Sequence, residues 1–320
     1  MYESGLPVNI TRHALTPPPG FDFWRTVRSH GWYDLSPFMV HPPDRVLKRV
    51  IRLADGTLVY GLVSEARHRL SFALHSRGIL PPGQRREAIG QFRSCLRLDE
   101  DFSSFHREAR RHPHYRWIAS SGSGRMLRAP TVFEDVVKMI CTTNCSWSLT
   151  TIMVNNLVET LGEPWDERRR AFPTPEALAG ATERELRRDI KAGYRAPSLL
   201  RFAEEVAGGK RNVESWRNSP LPTEELFDEL CTIRGVGPYA AGNLLKLLGR
   251  YDYLGLDSWV RGQYSALFAG GRVVSDRTIE RRYRRYGMWR GLFFWLEMTR
   301  YWHAEKFRVK ADQPDQWAPA

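Results

Sequence analysis

The sequence predicts a mainly α-helical protein with an N-terminal antiparallel β domain, an α+β chain. Two observations carry that prediction. Residues 46–75 alternate apolar and polar side chains with the two-residue period of a strand, and from about Gln84 onward the apolar period lengthens to that of amphipathic helices. A third observation bounds it: no repeat of solenoid period and no low-complexity tract interrupts either pattern. Residues 1–83 are therefore assigned to the β domain and 84–320 to the helical region.

Residues 1–20 are polar and rich in proline, without the basic start and apolar stretch of a secretory signal. Three strand-like runs follow, over 46–53, 57–63 and 70–74. Asp55-Gly56 lies between the first two, and an Asp-Gly pair is a strong hairpin signal because both residues tolerate the positive φ of a tight turn. In the helical part, Phe133, Val136, Val137 and Ile140 mark one helix, and Leu149, Ile152, Leu157 and Leu161 another. Pro164, Pro173, Pro175, Gly193, Pro197, Gly208-Gly209, Pro220, Pro222, residues 235–238 and Gly270-Gly271 divide what remains into helices of ordinary length.

Composition narrows the classes of function. In 320 residues, 48 Lys and Arg stand against 36 Asp and Glu, a net charge of +12. Seven of those cations are lysine and 41 are arginine, the side chain that grips phosphate bidentately. The balance favours nucleic acid as a partner, although arginine-rich solvated surfaces have the same composition. Hydrophobic content of 42% and charged content of 26% exclude disordered and fibrous classes. Cys95, Cys141, Cys145 and Cys231 fit neither a disulfide framework nor a four-ligand zinc site, and their spacing excludes a clustered iron–sulfur centre. Their scarcity, with the absence of any apolar run of about 18 residues, leads us to expect a cytoplasmic, nucleoid-associated protein with no membrane span.

Residues 223–261 carry the most information. Thr223 is a candidate N-cap for a helix through Leu226, Leu230 and Ile233, which Arg234-Gly235-Val236-Gly237-Pro238 then stops. Two glycines allow a tight turn, and Pro238 suits the first position of a second helix running to about Leu248. Backbone amides of such a loop, at a helix start, form a concave site for a phosphate without reading sequence. Plain packing of a helical hairpin has the same residues. Asp257 follows 18 residues after Tyr239, at the head of a further helix, where any aspartate would also serve as an N-cap.

With this hairpin and aspartate the chain resembles the helix-hairpin-helix superfamily of DNA glycosylases. The resemblance extends to Phe133-Glu134 through Gly162, including Ile140-Cys141-Thr142-Thr143-Asn144, to Gly193-Tyr194-Arg195-Ala196 and to Trp289-Arg290. It covers roughly residues 95–304 and falls between the alkylpurine (3-methyladenine) and 8-oxoguanine branches. It implies the helix-hairpin-helix glycosylase architecture, with the hairpin at 223–249 and the catalytic aspartate loop at 250–261. The partner implied is double-stranded DNA containing a damaged base, met by a monomer. No cofactor is required and no metal is expected; the hairpin backbone leaves room for a monovalent ion.

The resemblance also assigns roles. A glycosylase must flip a nucleotide out, fill the gap and hold the base in a pocket. Asn144 falls at the gap-filling position, and Gly235, Val236 and Gly237 at the phosphate site. Tyr239 falls where the alkylpurine enzymes carry an aromatic residue and the 8-oxoguanine enzymes their lysine nucleophile. Trp147 and Trp289, and after them Trp259, are further aromatic candidates for stacking on the base. Asp257 is the candidate catalytic carboxylate, opposite the positive charge that develops on the sugar as the base departs. Lys246 lies about 10 Å along the helix from Tyr239 and is expected to be exposed or snorkelling, so monofunctional hydrolysis is preferred. A bifunctional 8-oxoguanine glycosylase/lyase and a non-catalytic damage-binding protein are the rival readings. Arg281, Arg282, Arg284 and Arg285, with Arg184, Arg187 and Arg188, are candidates to track the phosphate backbone.

Overall fold

The structure, a computed structural model, describes residues 8–305. Five antiparallel strands form one sheet: β1 (Asn9–Leu15), β2 (Met39–His41), β3 (Val46–Arg52), β4 (Leu58–Ala66) and β5 (Arg69–Ser76), in the order β1-β5-β4-β3-β2. Asp55-Gly56 turns the β3–β4 hairpin as the sequence indicated: the Gly56 amide donates to the Leu53 carbonyl at 2.9 Å, and the Thr57 amide donates to the Asp55 carboxylate at 2.9 Å. The two edge strands carried no sequence signal. No residue of β1 is fully buried, and β2 has only three residues, so backbone pairing rather than apolar alternation makes them strands.

One sheet face packs on helices through Leu47, Val59, Val63, Leu70, Phe72 and Leu74. On the other, Val50 and Tyr60 meet Trp165 and Ala171. Covering both faces at β3 and β4 blurs the strict inside-outside alternation.

The helices are α1 (Phe23–Val27), α2 (Pro82–Cys95), α3 (Ser103–Arg111), α4 (Arg116–Ser120), α5 (Val132–Cys141), α6 (Trp147–Leu161), α7 (Pro175–Ala179), α8 (Glu183–Arg188), α9 (Ala196–Ala207), α10 (Thr223–Cys231), α11 (Pro238–Leu247), α12 (Ser258–Phe268), α13 (Asp276–Tyr283), α14 (Arg290–Met298) and α15 (Arg300–Glu305). A first apolar core runs from Phe23 to Leu248 and joins the sheet to α5, α6, α9, α10 and α11. A second unites Phe102 and Phe105 with residues of α12, α13 and α14. Each fully buried Leu or Phe contributes about 1.5–3 kcal/mol. No described helix is long and apolar enough to cross a membrane.

Buried charges fasten these parts together. On α5, Glu134 accepts from Arg49 of β3 at 2.8 Å and from Lys138 at 2.7 Å, and both cations lie over the Phe38 ring. Arg97, wholly buried just after α2, donates to the last carbonyls of α11, at Lys246 (2.7 Å) and Leu247 (2.6 Å), where the helix dipole favours a cation. The start of α10 differs from expectation. Pro222 occupies the N-cap, and Thr223 sits inside the first turn with its hydroxyl on Asp252 at 2.8 Å, because the preceding proline already supplies the extended cap geometry.

Candidate active site

Three stretches of chain, joined by Met126, Trp295 and Trp302, converge on a cavity of about 620 Å³. One is the 3-10 turn Gly31–Asp34 with its flanking residues, the second the end of α5 with the start of α6, and the third α11 with the loop leading to α12. On α11 the helical period does the sorting. Tyr239, Asn243 and Leu247, four residues apart, line the cavity, while Ala240, Ala241, Leu244 and Leu245 are in the core.

Asp257 is half-buried on the cavity wall. Its backbone is extended and its carboxylate accepts the Val260 amide at 2.6 Å, so it is both the N-cap of α12 and a cavity group. Tyr239, in the first turn of α11, is half-buried. Burial pushes its hydroxyl above the ordinary phenol range against a hydrogen bond with Thr142, leaving a protonated phenol at neutral pH.

Aromatic rings form much of the remaining wall. Trp147 opens α6 behind the Ser146 cap and lies against Gly31. Trp259 stacks on Trp302 at 5.6 Å, and Trp302 meets Trp295 edge-on at 5.8 Å. These four tryptophans and Trp32 line the cavity. Trp289 does not, which corrects its assignment as a pocket residue: it stacks on Tyr251 at 5.4 Å and packs on Phe102 and Phe105 inside the second core. Lys246 also departs from expectation. It is not at the surface but wholly buried, with its ammonium donating to the Gly242 carbonyl at 3.3 Å.

Asn144 lies outside the cavity, exposed at the turn between α5 and α6 with φ +47°. The neighbouring Thr143 carbonyl accepts from the Tyr194 hydroxyl at 3.2 Å and from Arg195, so the Gly193-Tyr194-Arg195 segment braces this turn. In the hairpin, Gly235 adopts φ +90°, Val236 is buried, and Gly237 is exposed at the N-cap of α11. The Arg281–Arg285 cluster is exposed, and Arg282 lies over the Phe268 ring at 3.7 Å. Arg187 and Arg188 pair with Glu183 and Asp189. Among the described residues no group of three or more His, Cys, Asp or Glu is placed to hold a metal ion.

Residues 30–32 and Asp135 were missed from sequence. Asp135 accepts from the Trp32 indole at 2.7 Å and from the Ala129 amide at 2.9 Å, while burial pushes its carboxyl up to about 6. His30 lies 5.0 Å from Trp32 with Nε2 2.5 Å from the Leu127 carbonyl. Burial pushes its imidazole down to about 4, so the ring is neutral and Nε2–H is the donor. No periodic pattern marks residues 30–32, since a single 3-10 turn has none, and on α5 the apolar period picks out Phe133, Val136, Val137 and Ile140 but not a polar Asp135.

Residues 137–291 match the family described as HhH-GPD superfamily base excision DNA repair protein. The fold is similar to a 3-methyladenine DNA glycosylase from Archaeoglobus fulgidus, with a TM-score of 0.72 and 20% identity over 92% of this chain and 99% of that one. It is also similar to the Clostridium acetobutylicum 8-oxoguanine glycosylase/lyase in complex with double-stranded DNA containing cytosine opposite 8-oxoG, with a TM-score of 0.61 and 20% identity over 81% and 88% of the two chains. No curated protein matches the chain in sequence.

Proposed function

We propose, from the premise that residues 137–291 are a region of the HhH-GPD superfamily of base excision DNA repair proteins, that this chain is a monofunctional DNA glycosylase. It binds double-stranded DNA as a monomer, flips out a damaged base and hydrolyses its N-glycosidic bond, without a required cofactor. The observation that carries the reading is that Asp257 and Tyr239 face one aromatic-walled cavity whose lining, among the described residues, contains no lysine.

Each step has a residue. Exposed Asn144, on a braced turn, fills the gap left by the flipped nucleotide and hydrogen-bonds the orphaned partner base. The exposed backbone at Gly235 to Gly237 meets a phosphate at the start of α11. Tyr239 and the tryptophans stack on the base, and their π faces attract a cationic alkylated ring. Asp257 stabilises the charge that develops on the sugar and positions or deprotonates the attacking water. The aromatic cavity favours alkylated or deaminated purines such as 3-methyladenine or hypoxanthine.

A panel of labelled duplexes carrying 3-methyladenine, 7-methylguanine, hypoxanthine, 8-oxoguanine or uracil tests the reading, with and without alkali and borohydride. Strand cleavage that requires alkali and is lost in Asp257→Asn is the expected result. Nicking without alkali and a borohydride-trapped adduct would instead mean that an amine reaches the sugar. Binding of damaged duplex with no base released over hours would leave a non-catalytic damage-binding protein.

A further inference from the structure

His30 lines the cavity yet has no part in the reaction proposed above. At 8% exposure it is a wall group and not a surface one. Its ring is held by the chain around it. The Leu127 amide donates to Ser29 Oγ at 2.9 Å, and the Leu127 carbonyl lies 2.5 Å from His30 Nε2. A carbonyl oxygen can only accept, so Nε2 carries the proton. The imidazole stands 5.0 Å from the Trp32 indole, which Asp135 fixes by a hydrogen bond of 2.7 Å. Position and tautomer are therefore set before any ligand arrives.

The other ring nitrogen is what remains to be used. Burial, with the Arg97 and Lys138 cations nearby, keeps the imidazole neutral, so Nδ1 has its lone pair and is an acceptor. The two ring nitrogens point in divergent directions, which turns Nδ1 away from Leu127. Among the described residues no group donates to it. Nor is it sealed in: Trp295 Nε1 is a wall nitrogen enclosed without a partner, whereas His30 Nδ1 is not enclosed. It is an open acceptor on a buried residue of an aromatic-walled cavity.

Neighbouring polar side chains are turned back onto the backbone. The Thr142 hydroxyl donates to the Met139 carbonyl at 2.7 Å, that of Thr150 to the Cys141 carbonyl at 3.2 Å, and Asn243 Nδ2 to the Tyr239 carbonyl at 3.0 Å. A flat base that enters the cavity displaces the water that could meet Nδ1. Left without a donor, the buried acceptor then carries the full penalty of its lost hydration.

We propose that His30 is a specificity-determining residue: its Nδ1 accepts a hydrogen bond from a ring N–H or an exocyclic amino group of the flipped base. The inference rests on the glycosylase reading and narrows its substrate class to bases that bring such a donor. Hypoxanthine has a ring N–H and 3-methyladenine an amino group, so both satisfy the acceptor. Unsubstituted purine has neither and leaves it unmet, which is how a site built to hydrogen-bond its substrate rejects an analogue that lacks the group.

Duplexes whose target sugar is fluorinated at C2′, so that the glycosidic bond resists cleavage, test it with hypoxanthine or purine opposite the same base. Affinities for the full chain are compared in wild type and in His30→Gln, whose amide keeps the donor to Leu127 but places no lone pair at the Nδ1 position. The preference of wild type for hypoxanthine over purine is expected to exceed that of His30→Gln by roughly tenfold. Pairing strength cancels in this double ratio, and a merely structural role weakens both duplexes equally. An unchanged ratio would overturn the proposal. Should His30→Gln not fold, nitrogen NMR of the wild-type imidazole decides. Nδ1 is expected to resonate as a bare ring nitrogen in the free chain and to move towards the protonated range with the hypoxanthine duplex but not with the purine duplex. A signal that ignores hypoxanthine, or answers both duplexes alike, would sink the assignment. Absence of excision by wild type from cleavable duplexes would refute the glycosylase reading and leave the affinity ratio and the nitrogen signal to answer for His30.

Discussion

Gly31 and Trp147 touch across the mouth of the cavity so closely that a Cβ on Gly31 would overlap the indole ring. Residues 116 positions apart are thus fitted to each other, and Trp147, at 38% exposure, is free to yield on its outer side. Gly31→Ala is expected to push the indole away while leaving the fold intact. Loss of one stacking partner lowers kcat/KM by roughly tenfold, about 1.4 kcal/mol. Single-turnover excision and tryptophan emission check it, and a variant with unchanged emission would show that the contact is not held in solution.

Asp257 combines two roles that different substitutions separate. Asparagine keeps the N-cap bond to Val260 but cannot carry charge or take a proton. Asp257→Asn is expected to lose about a hundredfold to ten-thousandfold in rate with its melting temperature and duplex affinity unchanged. Asp257→Ala loses the same rate and in addition about 1 kcal/mol of stability from the missing cap. Equal melting temperatures for the two variants would mean that the cap contributes nothing.

What was legible in the sequence follows from what leaves a pattern. The hairpin, the aspartate after it and the α11 face bearing Tyr239 are local in sequence, so glycine, proline and helical period expose them. The β3–β4 hairpin was legible for the same reason, through Asp55-Gly56. Trp289 was misplaced because a tryptophan that stacks in a core and one that lines a cavity look identical in a string of letters. Lys246 was misread because a lysine is seldom fully buried, and only the Gly255 turn, nine residues on, makes space for it. His30 and Gly31 line the site, and Asp135 holds Trp32 there, through contacts about 100 residues long, such as Trp32 to Asp135, which no window of sequence spans.

The Glu134 cluster, none of whose members lines the cavity, predicts a large effect on stability. Arg49 and Lys138 share this one buried carboxylate, and their charges hold it below the ordinary carboxylate range even though burial pushes it up. Glu134→Gln strands two buried cations and is expected to cost about 3–5 kcal/mol. The exposed Glu183–Arg187 pair on α8 is the control, where Glu183→Gln changes stability by at most about 1 kcal/mol. Urea denaturation of both variants distinguishes them, and equal losses would sink the argument from burial.

His30 and Asp135 predict how stability varies with pH, with opposite signs. His30 is held near 4 when folded against 6.5 otherwise, so between those values the unfolded chain binds a proton that the folded chain refuses. Its contribution is present above pH 6.5 and is lost as the pH falls towards 4. Asp135 is held near 6 against 3.8, so the folded chain keeps a proton that the unfolded chain releases. That contribution is present below pH 3.8 and is lost as the pH rises towards 6. Between pH 6 and 4.5 the two contributions oppose each other, beside a loss on acidification from His106 and His75, whose imidazoles burial also holds below the ordinary range. His30→Gln, whose amide can still donate to the Leu127 carbonyl, removes the His30 contribution and should lose less stability on acidification than wild type, the slopes differing by at most about 1.4 kcal/mol per pH unit. Asp135→Asn should lose more than wild type, by a slope difference of the same size and opposite sign. Below pH 4.5 all three proteins weaken together, because Glu100 and Glu134, both held below the ordinary carboxylate range, begin to take up protons. Chemical denaturation at pH 6.5, 5.5 and 4.5 reads each slope, and slopes displaced from wild type in the same direction in the two variants would refute the assignment of neutral His30 and raised Asp135.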